Sequence, residues 1–166
     1  MVDRSVRTEE DLRQTINTYA DDLYRICFTM LRNSYDAEDI VQDTFIKYYQ
    51  SDKKFESDRH KKSWLIKVAL NECRDKLRFW KRHSVISLEE YAEIPQSPDQ
   101  TESKDILEAL MRLPLKYKIV MTLFYAEEYS VKEIAEMLHT NESVVKKRLQ
   151  KGRRLLRDIY REEYEL

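Results

Sequence analysis

Apolar residues recur in steps of three and four over most of this chain, the spacing of helices that bury one face. Over 8–32, Leu12, Ile16, Tyr19, Leu23, Ile26, Cys27, Met30 and Leu31 form one stripe. Thr8, three residues before Asp11, is placed to cap its start. After an Asn33-Ser34 break, Ala37, Ile40, Val41, Phe45, Tyr48 and Tyr49 repeat the spacing, and Asp36, Glu38, Asp39 and Asp43 fall on the wet side. The second helix is therefore expected to be acidic and amphipathic. Residues 52–62, DKKFESDRHKK, have no stripe and predict a loop holding one large aromatic, Phe55. A long helix is expected from Trp64 to about Arg82. Leu65, Ile66, Ala69, Leu70, Cys73, Leu77 and Trp80 make its apolar face, and Lys67, Asn71, Arg74 and Arg78 fall together on another.

The pattern lapses over 84–103, SVISLEEYAEIPQSPDQTES, which holds two of the three prolines. This predicts a flexible linker between domains 1–83 and 104–166, with room for one short turn capped by Ser87 and Glu90. Helical spacing resumes from Lys104 through Ile106, Leu107, Leu110, Met111 and Leu113, breaks at Pro114, and continues through Ile119, Val120, Leu123 and Phe124. Ser130 and Glu133 form a capping box before Val131, Ile134, Ala135 and Leu138, and Asn141 caps a last helix that turns Val145, Leu149, Gly152 and Leu156 inward. A short helix, a brief turn and a longer capped helix are the proportions of a helix-turn-helix.

Composition agrees. One glycine and three prolines in 166 residues leave little punctuation for hairpins, so the expected class is all-α. The start MVDRSVRTEED lacks the apolar core of a signal peptide, and no apolar run approaches the roughly 20 residues of a bilayer span. A cytoplasmic protein with no direct membrane insertion is expected. Cys27 and Cys73 are too few and too far apart for a disulfide framework or a zinc ribbon. No nucleophile–base pair, metal-ligand spacing or phosphate-binding glycine loop is present, so neither an enzyme nor a cofactor is expected.

Charge changes the picture more. The net charge of -1 hides a segregated pattern: eleven Lys or Arg against four Asp or Glu over 53–82, seven acids against one Lys over 89–108, and eight cations against one acid over 146–161. A plain solvated helix interleaves acids with its cations, so unbalanced positive blocks point to a polyanion. In the last helix, 100° steps direct Ser143, Lys147, Gln150, Lys151 and Arg154 away from Val145 and Leu149, with Lys146 in the same basic block. Lys and Arg donate to guanine edges or phosphates, Gln pairs with adenine, and the helix start near Asn141 and Glu142 offers free amides to a phosphate. The first basic block instead mixes cations with Phe55, Trp64 and Asn71, a composition suited to unstacked bases: an aromatic ring gives roughly 1–3 kcal/mol of stacking per base, and an amide reads an edge.

The acidic helix DAEDIVQDTFIKYY (36–49), the block FESDRHKKSWLIKVALNECRDKLRFWKRH (55–83) and LPLKYKIVMTLFYAEEYSVKEIAEMLHTNESVVKKRLQKGRRLLR (113–157), in this order, resemble an extracytoplasmic-function sigma factor, the smallest two-domain type of the sigma-70 family. The resemblance runs nearly end to end. It implies that Asp36, Glu38, Asp39, Gln42 and Asp43 dock on clamp helices of a large subunit of core RNA polymerase. It implies that Phe55 and Asn71 stand at the positions that hold the opened -10 element of promoter DNA, and Lys67, Arg74 and Arg78 are added here on helical geometry. Lys147, Gln150 and Lys151 stand at the positions that read the duplex -35 element. An anti-sigma factor, in this subgroup frequently membrane-anchored, is implied in the same way.

Two departures bear on base preference. The turn often written Leu-Gly is Leu138-His139 here, so either a non-glycine occupies a left-handed position or the turn differs slightly, and Val144 replaces a residue that is commonly Thr. The competing reading is a conventional helix-turn-helix regulator whose residues 1–83 bind a ligand or a second copy, but it leaves the basic, aromatic segment 53–82 without a purpose. A metal enzyme built on His60, His83 and the cysteines lacks any recurring ligand spacing.

Overall fold

The computed structural model describes residues 7–83 and 108–164, and every regular element among them is helical. The chain divides into two compact units, Met1–Tyr91 and Ala92–Leu166. The proposed linker, the Ser87–Glu90 turn and the start of the helical pattern at Lys104 lie outside the described residues.

The first unit packs three helices, α1 (Glu9–Leu31), α2 (Ser34–Gln50) and α3 (Asp58–His83), pairwise against one another. Its core is the predicted stripe: Leu23, Ile26, Cys27, Ala37, Leu65, Ile66, Ala69, Leu70 and Cys73 are fully or almost fully buried. Thr8 caps α1 by accepting from the Asp11 amide at 3.0 Å, and Asn33 caps α2 by accepting from the Asp36 amide at 3.1 Å. α1 ends on Arg32 in a left-handed conformation (φ 53°), whose amide donates back to the Phe28 carbonyl at 2.8 Å. The Cys27 and Cys73 thiols meet in this core. Their hydrogen bond and then burial push the Cys73 thiol well up, and both cysteines, fully buried, fill the core as small side chains.

Two expectations for this unit need correction. The loop is shorter than 52–62, because α3 begins at Asp58: Ser57 Oγ accepts from the His60 amide at 3.1 Å, and the Lys61 amide donates to the Ser57 carbonyl at 3.1 Å. This capped first turn is charged, so apolar spacing could not reveal it. Tyr49, placed by spacing on the inner face of α2, is instead 36% exposed.

In the second unit, residues 108–111 are helical and a turn through 112–114 leads into α4 (Leu115–Met121). α4 widens into a π-helical turn over Thr122–Ala126, where the Glu127 amide reaches the Thr122 carbonyl at 3.2 Å. Then come α5 (Val131–Met137) and α6 (Glu142–Tyr164). Val120, Leu123, Ile134, Val145 and Leu149 make the centre of this core. The chain's one glycine, Gly152, is buried where α6 meets α4. A Cβ there would lie 3.1 Å from Met121 Cγ and 3.5 Å from Tyr117 Cβ, so the missing side chain permits the close approach.

Candidate promoter-binding and docking surfaces

The α5–turn–α6 segment forms as its caps predict. Ser130 Oγ accepts from the Glu133 amide at 3.1 Å and Glu133 Oε1 accepts from the Ser130 amide at 3.1 Å, a complete reciprocal box. Asn141 Oδ1 accepts from the Val144 amide at 2.9 Å, fixing the start of α6. Between them His139 takes the left-handed conformation at φ 53°, and the Thr140 amide closes the turn on the Ala135 carbonyl at 2.9 Å. A side chain with a Cβ is disfavoured there, so His139→Gly is expected to stabilise this unit by up to about 1 kcal/mol, read as a higher midpoint in thermal unfolding.

With Val145, Leu149 and Gly152 turned inward, Ser143, Lys147, Gln150 and Arg154 follow one another at steps of four, three and four on the exposed face. Lys146 and Lys151 flank this row, also exposed, and Asn141 stands exposed at its N-terminal end. Lys151 is anchored: its ammonium lies 5.7 Å from the Tyr117 ring centre, and Lys116 lies 5.1 Å from the same ring. Burial alone would push the Tyr117 phenol up, but hydrogen bonds from the two lysines outweigh it and hold the phenol below its ordinary value. On the other flank Arg153 donates to the Tyr125 hydroxyl at 2.9 Å. Anchored cations thus bracket an open central row of hydrogen-bond donors.

In the first unit α3 divides its cations between two tasks. Lys62 pairs with Asp22 at 3.2 Å and Lys76 with Asp36 at 2.7 Å, tying α3 to α1 and α2; Lys47 and Glu72 pair likewise between α2 and α3. Lys67, Asn71 and Arg78 are exposed and share a face with half-buried Arg74; Arg78 also meets Asp75 at 3.3 Å. Trp64 and His60 begin the same row one and two turns earlier. Phe55 packs on both, with ring centres 5.6 Å and 5.4 Å away, and on Tyr48 at 6.2 Å. The structure thus brings Phe55 to the head of the Lys67–Asn71–Arg74–Arg78 row. Far from being an isolated loop aromatic, it is a half-buried member of an aromatic cluster.

The acidic helix α2 presents Glu38, Asp39, Gln42 and Asp43 to solvent. Asp36 turns the other way, into its ion pair with Lys76. Sequence reasoning missed what lies among the acids: Tyr35 (85% exposed), Ile46 (48%) and Tyr49 share the face of Glu38, Gln42 and Asp39. Uncovered apolar side chains rimmed by acids have the composition of a protein-docking patch. Phe79, 53% exposed and stacked on His83 at 4.1 Å, was missed for a similar reason, being out of phase with the buried stripe.

Comparison with known proteins covers both units. Residues 15–83 match the family described as Sigma-70 region 2, and residues 103–156 match Sigma-70, region 4. The chain is 31% identical over 163 residues to the ECF RNA polymerase sigma factor SigW of Bacillus subtilis, covering 89% of this chain and 87% of that protein. It is 32% identical over 143 residues to the RNA polymerase sigma factor SigV of the same organism, covering 86% of each. Among solved structures it resembles the sigma factor RpoE bound to the anti-sigma factor NepR from Bartonella quintana, with a TM-score of 0.78 and 22% identity over 93% of this chain and 99% of that one. It also resembles CnrH bound to the cytosolic domain of CnrY, with a TM-score of 0.68 and 21% identity over 96% of this chain and 94% of that one. The two family segments, with relatives that share almost the whole length, place this chain in the ECF group of sigma-70-type RNA polymerase sigma factors, the subunits that direct the polymerase to promoters.

Proposed function

We propose that the chain reads promoters with two separate surfaces and leaves the chemistry of RNA synthesis to core polymerase. α6 lies in the major groove of the -35 element, with Lys147, Gln150 and Lys151 at base edges and Asn141, Ser143, Lys146 and Arg154 at phosphates or neighbouring edges. The Phe55 loop receives an unstacked base of the opened -10 element, Asn71 reads an edge, and Lys67, Arg74 and Arg78 hold the strand's phosphates. The observation that carries this reading is the exposed row on α6, bracketed by anchored cations, in a chain whose other basic face begins at an aromatic cluster.

Core polymerase fixes the spacing of the two readers through the domains 1–83 and 104–166 and the 84–103 linker. Tethering raises effective concentration only when both sites engage together, so the free chain binds promoter DNA weakly. Run-off transcription with purified core on a genomic promoter library tests the reading. Initiation from a defined set of promoters supports it, and a stable DNA-bound dimer that never associates with core supports the conventional regulator instead.

Docking on core uses the α2 face. Glu38, Asp39, Gln42 and Asp43 supply the charge and Tyr35, Ile46 and Tyr49 the apolar centre, with Asp36 bracing α2 on α3. A charge at the centre of such a patch costs on the order of 2 kcal/mol, so Ile46→Glu is expected to weaken association with core by about thirtyfold while leaving the helical content unchanged. Titration of core with a fluorescently labelled chain measures it. An anti-sigma factor is a further partner of this reading, as RpoE is found with NepR and CnrH with the cytosolic domain of CnrY, and a membrane-anchored one would hold the chain on the cytoplasmic side. No described helix is long and apolar enough to cross a membrane.

A further inference from the structure

Arg7, just ahead of α1, is tied to a segment more than forty residues away. Its Nε donates to the Tyr48 carbonyl at 2.8 Å, and a terminal guanidinium nitrogen donates to the Lys53 carbonyl. The guanidinium carbon lies over the Tyr48 ring, 4.1 Å from its centre, and 5.4 Å from the centre of the Phe55 ring. Tyr48 lies in the last turn of α2, where its carbonyl also accepts from the Ser51 amide at 3.1 Å, and Lys53 lies in the loop that follows. One side chain therefore joins the helix end, the loop backbone and the loop's aromatic.

The rest of the loop is thinly held. Ser51 Oγ accepts from the Lys53 amide at 3.1 Å, and His60 Nδ1 accepts from the Glu56 amide at 3.3 Å. Asp52, Lys53, Lys54 and Glu56 are all exposed. Tyr48 is fixed independently, its hydroxyl donating to Asp11 at 2.6 Å and its ring covered by Lys61 at 4.9 Å. Tyr48 is thus a firm floor: Phe55 stacks on it directly, and Arg7 adds the side-chain tie that runs from this floor to the loop backbone at Lys53.

We infer that Arg7 is a positioning residue for the -10 reader: it holds the 51–57 loop so that Phe55 stands ready for an unstacked base. This rests on the reading of Phe55 as part of the -10 site. The role demands arginine. A guanidinium carries donors on separate nitrogens that reach two carbonyls while its centre sits over a ring, whereas a lysine ammonium sets its three donors on one nitrogen and does not span the same partners.

The test compares Arg7→Ala, Arg7→Lys and Arg7→Met with wild type and Phe55→Ala in core-dependent transcription. Templates carry an intact or base-substituted -10 element, and a parallel pair varies the -35 element. Arg7→Ala is expected to lower initiation on the intact template by about tenfold and to bring the intact-to-substituted ratio toward one, because a reading group must be held to within a fraction of an ångström. Arg7→Lys restores little of this, and the -35 ratio stays at its wild-type value. Amide exchange should quicken over 51–57 while core amides of α1 and α3 keep their protection. Arg7→Met retains an apolar stem on Tyr48 and repeats the comparison should Arg7→Ala unfold. A wild-type -10 ratio in the Arg7 variants, alongside a collapsed ratio in Phe55→Ala, overturns the inference. If Phe55→Ala also keeps the ratio, the -10 reading of the loop fails, and the exchange data still decide whether Arg7 holds the loop.

Discussion

Transcription from a promoter with an intact -35 element is expected to fall by about a hundredfold when Lys147, Gln150 and Lys151 are all replaced by alanine. Each side chain that reads a base edge contributes roughly 1–3 kcal/mol; three at the lower end give about 3 kcal/mol, and each 1.4 kcal/mol is about a factor of ten. The fold should not suffer. All three are exposed, alanine is the best helix former, and Val145, Leu149 and Gly152, which seat α6, are untouched. On a template whose -35 element is scrambled, wild type and variant should start at similar rates. The salt dependence of DNA binding should change little, because the phosphate contacts proposed for Lys146 and Arg154 remain. An unchanged ratio between the two templates would remove these three side chains from the groove. Independently, Lys151→Ala should raise the Tyr117 phenol toward its ordinary value, since one of the two ammonium groups that hold it down is gone, and ultraviolet titration of the tyrosines reads this directly.

The mirror-image result is expected in the first unit. Asn71→Ala combined with Phe55→Ala should reduce initiation by roughly tenfold to a hundredfold on promoters with an intact -10 element and spare discrimination at -35, from about 1–3 kcal/mol for a stacked base and a similar amount for a read edge. Asn71 is exposed, so its truncation tests recognition without touching the core. Phe55 packs on Trp64, His60 and Tyr48, so its loss also loosens the domain, and the assay belongs well below the variant's unfolding midpoint. A fluorescent adenine analogue in the non-template strand reports base unstacking separately from RNA synthesis. If unstacking proceeds at the wild-type rate in the double variant, these two residues do not form the -10 reader.

Much of this architecture is legible in the sequence, because amphipathic helices with caps advertise themselves. Thr8, Ser130 with Glu133, and Asn141 all do what short polar side chains do one residue before a helix, and the apolar stripes form the two cores. The rows on α3 and α6 follow from 100° arithmetic once the inward residues are known. What stays hidden is long-range or against pattern. The first turn of α3 is charged, so spacing alone reads it as loop. Asp36 is indistinguishable from its acidic neighbours until Lys76, far along the chain on α3, claims it. Tyr35, Ile46 and Tyr49 break the rule that apolar residues go inside, and an exposed apolar residue cannot be told from a buried one by type. Arg7 carries no local signal at all, since its partners are two rings and two carbonyls of a distant stretch of chain.

On the proposed reading, the seating of α6 by Val145, Leu149 and Gly152 on one side, and its open row on the other, makes address and anchorage separable properties of one helix. A drifting lineage would then exchange the outer side chains one at a time and acquire a new set of target genes without reshaping the domain beneath. The same separation offers an engineer a way to rewire this regulator: graft the outward positions of a relative, keep the inward ones, and the borrowed specificity should travel with the graft.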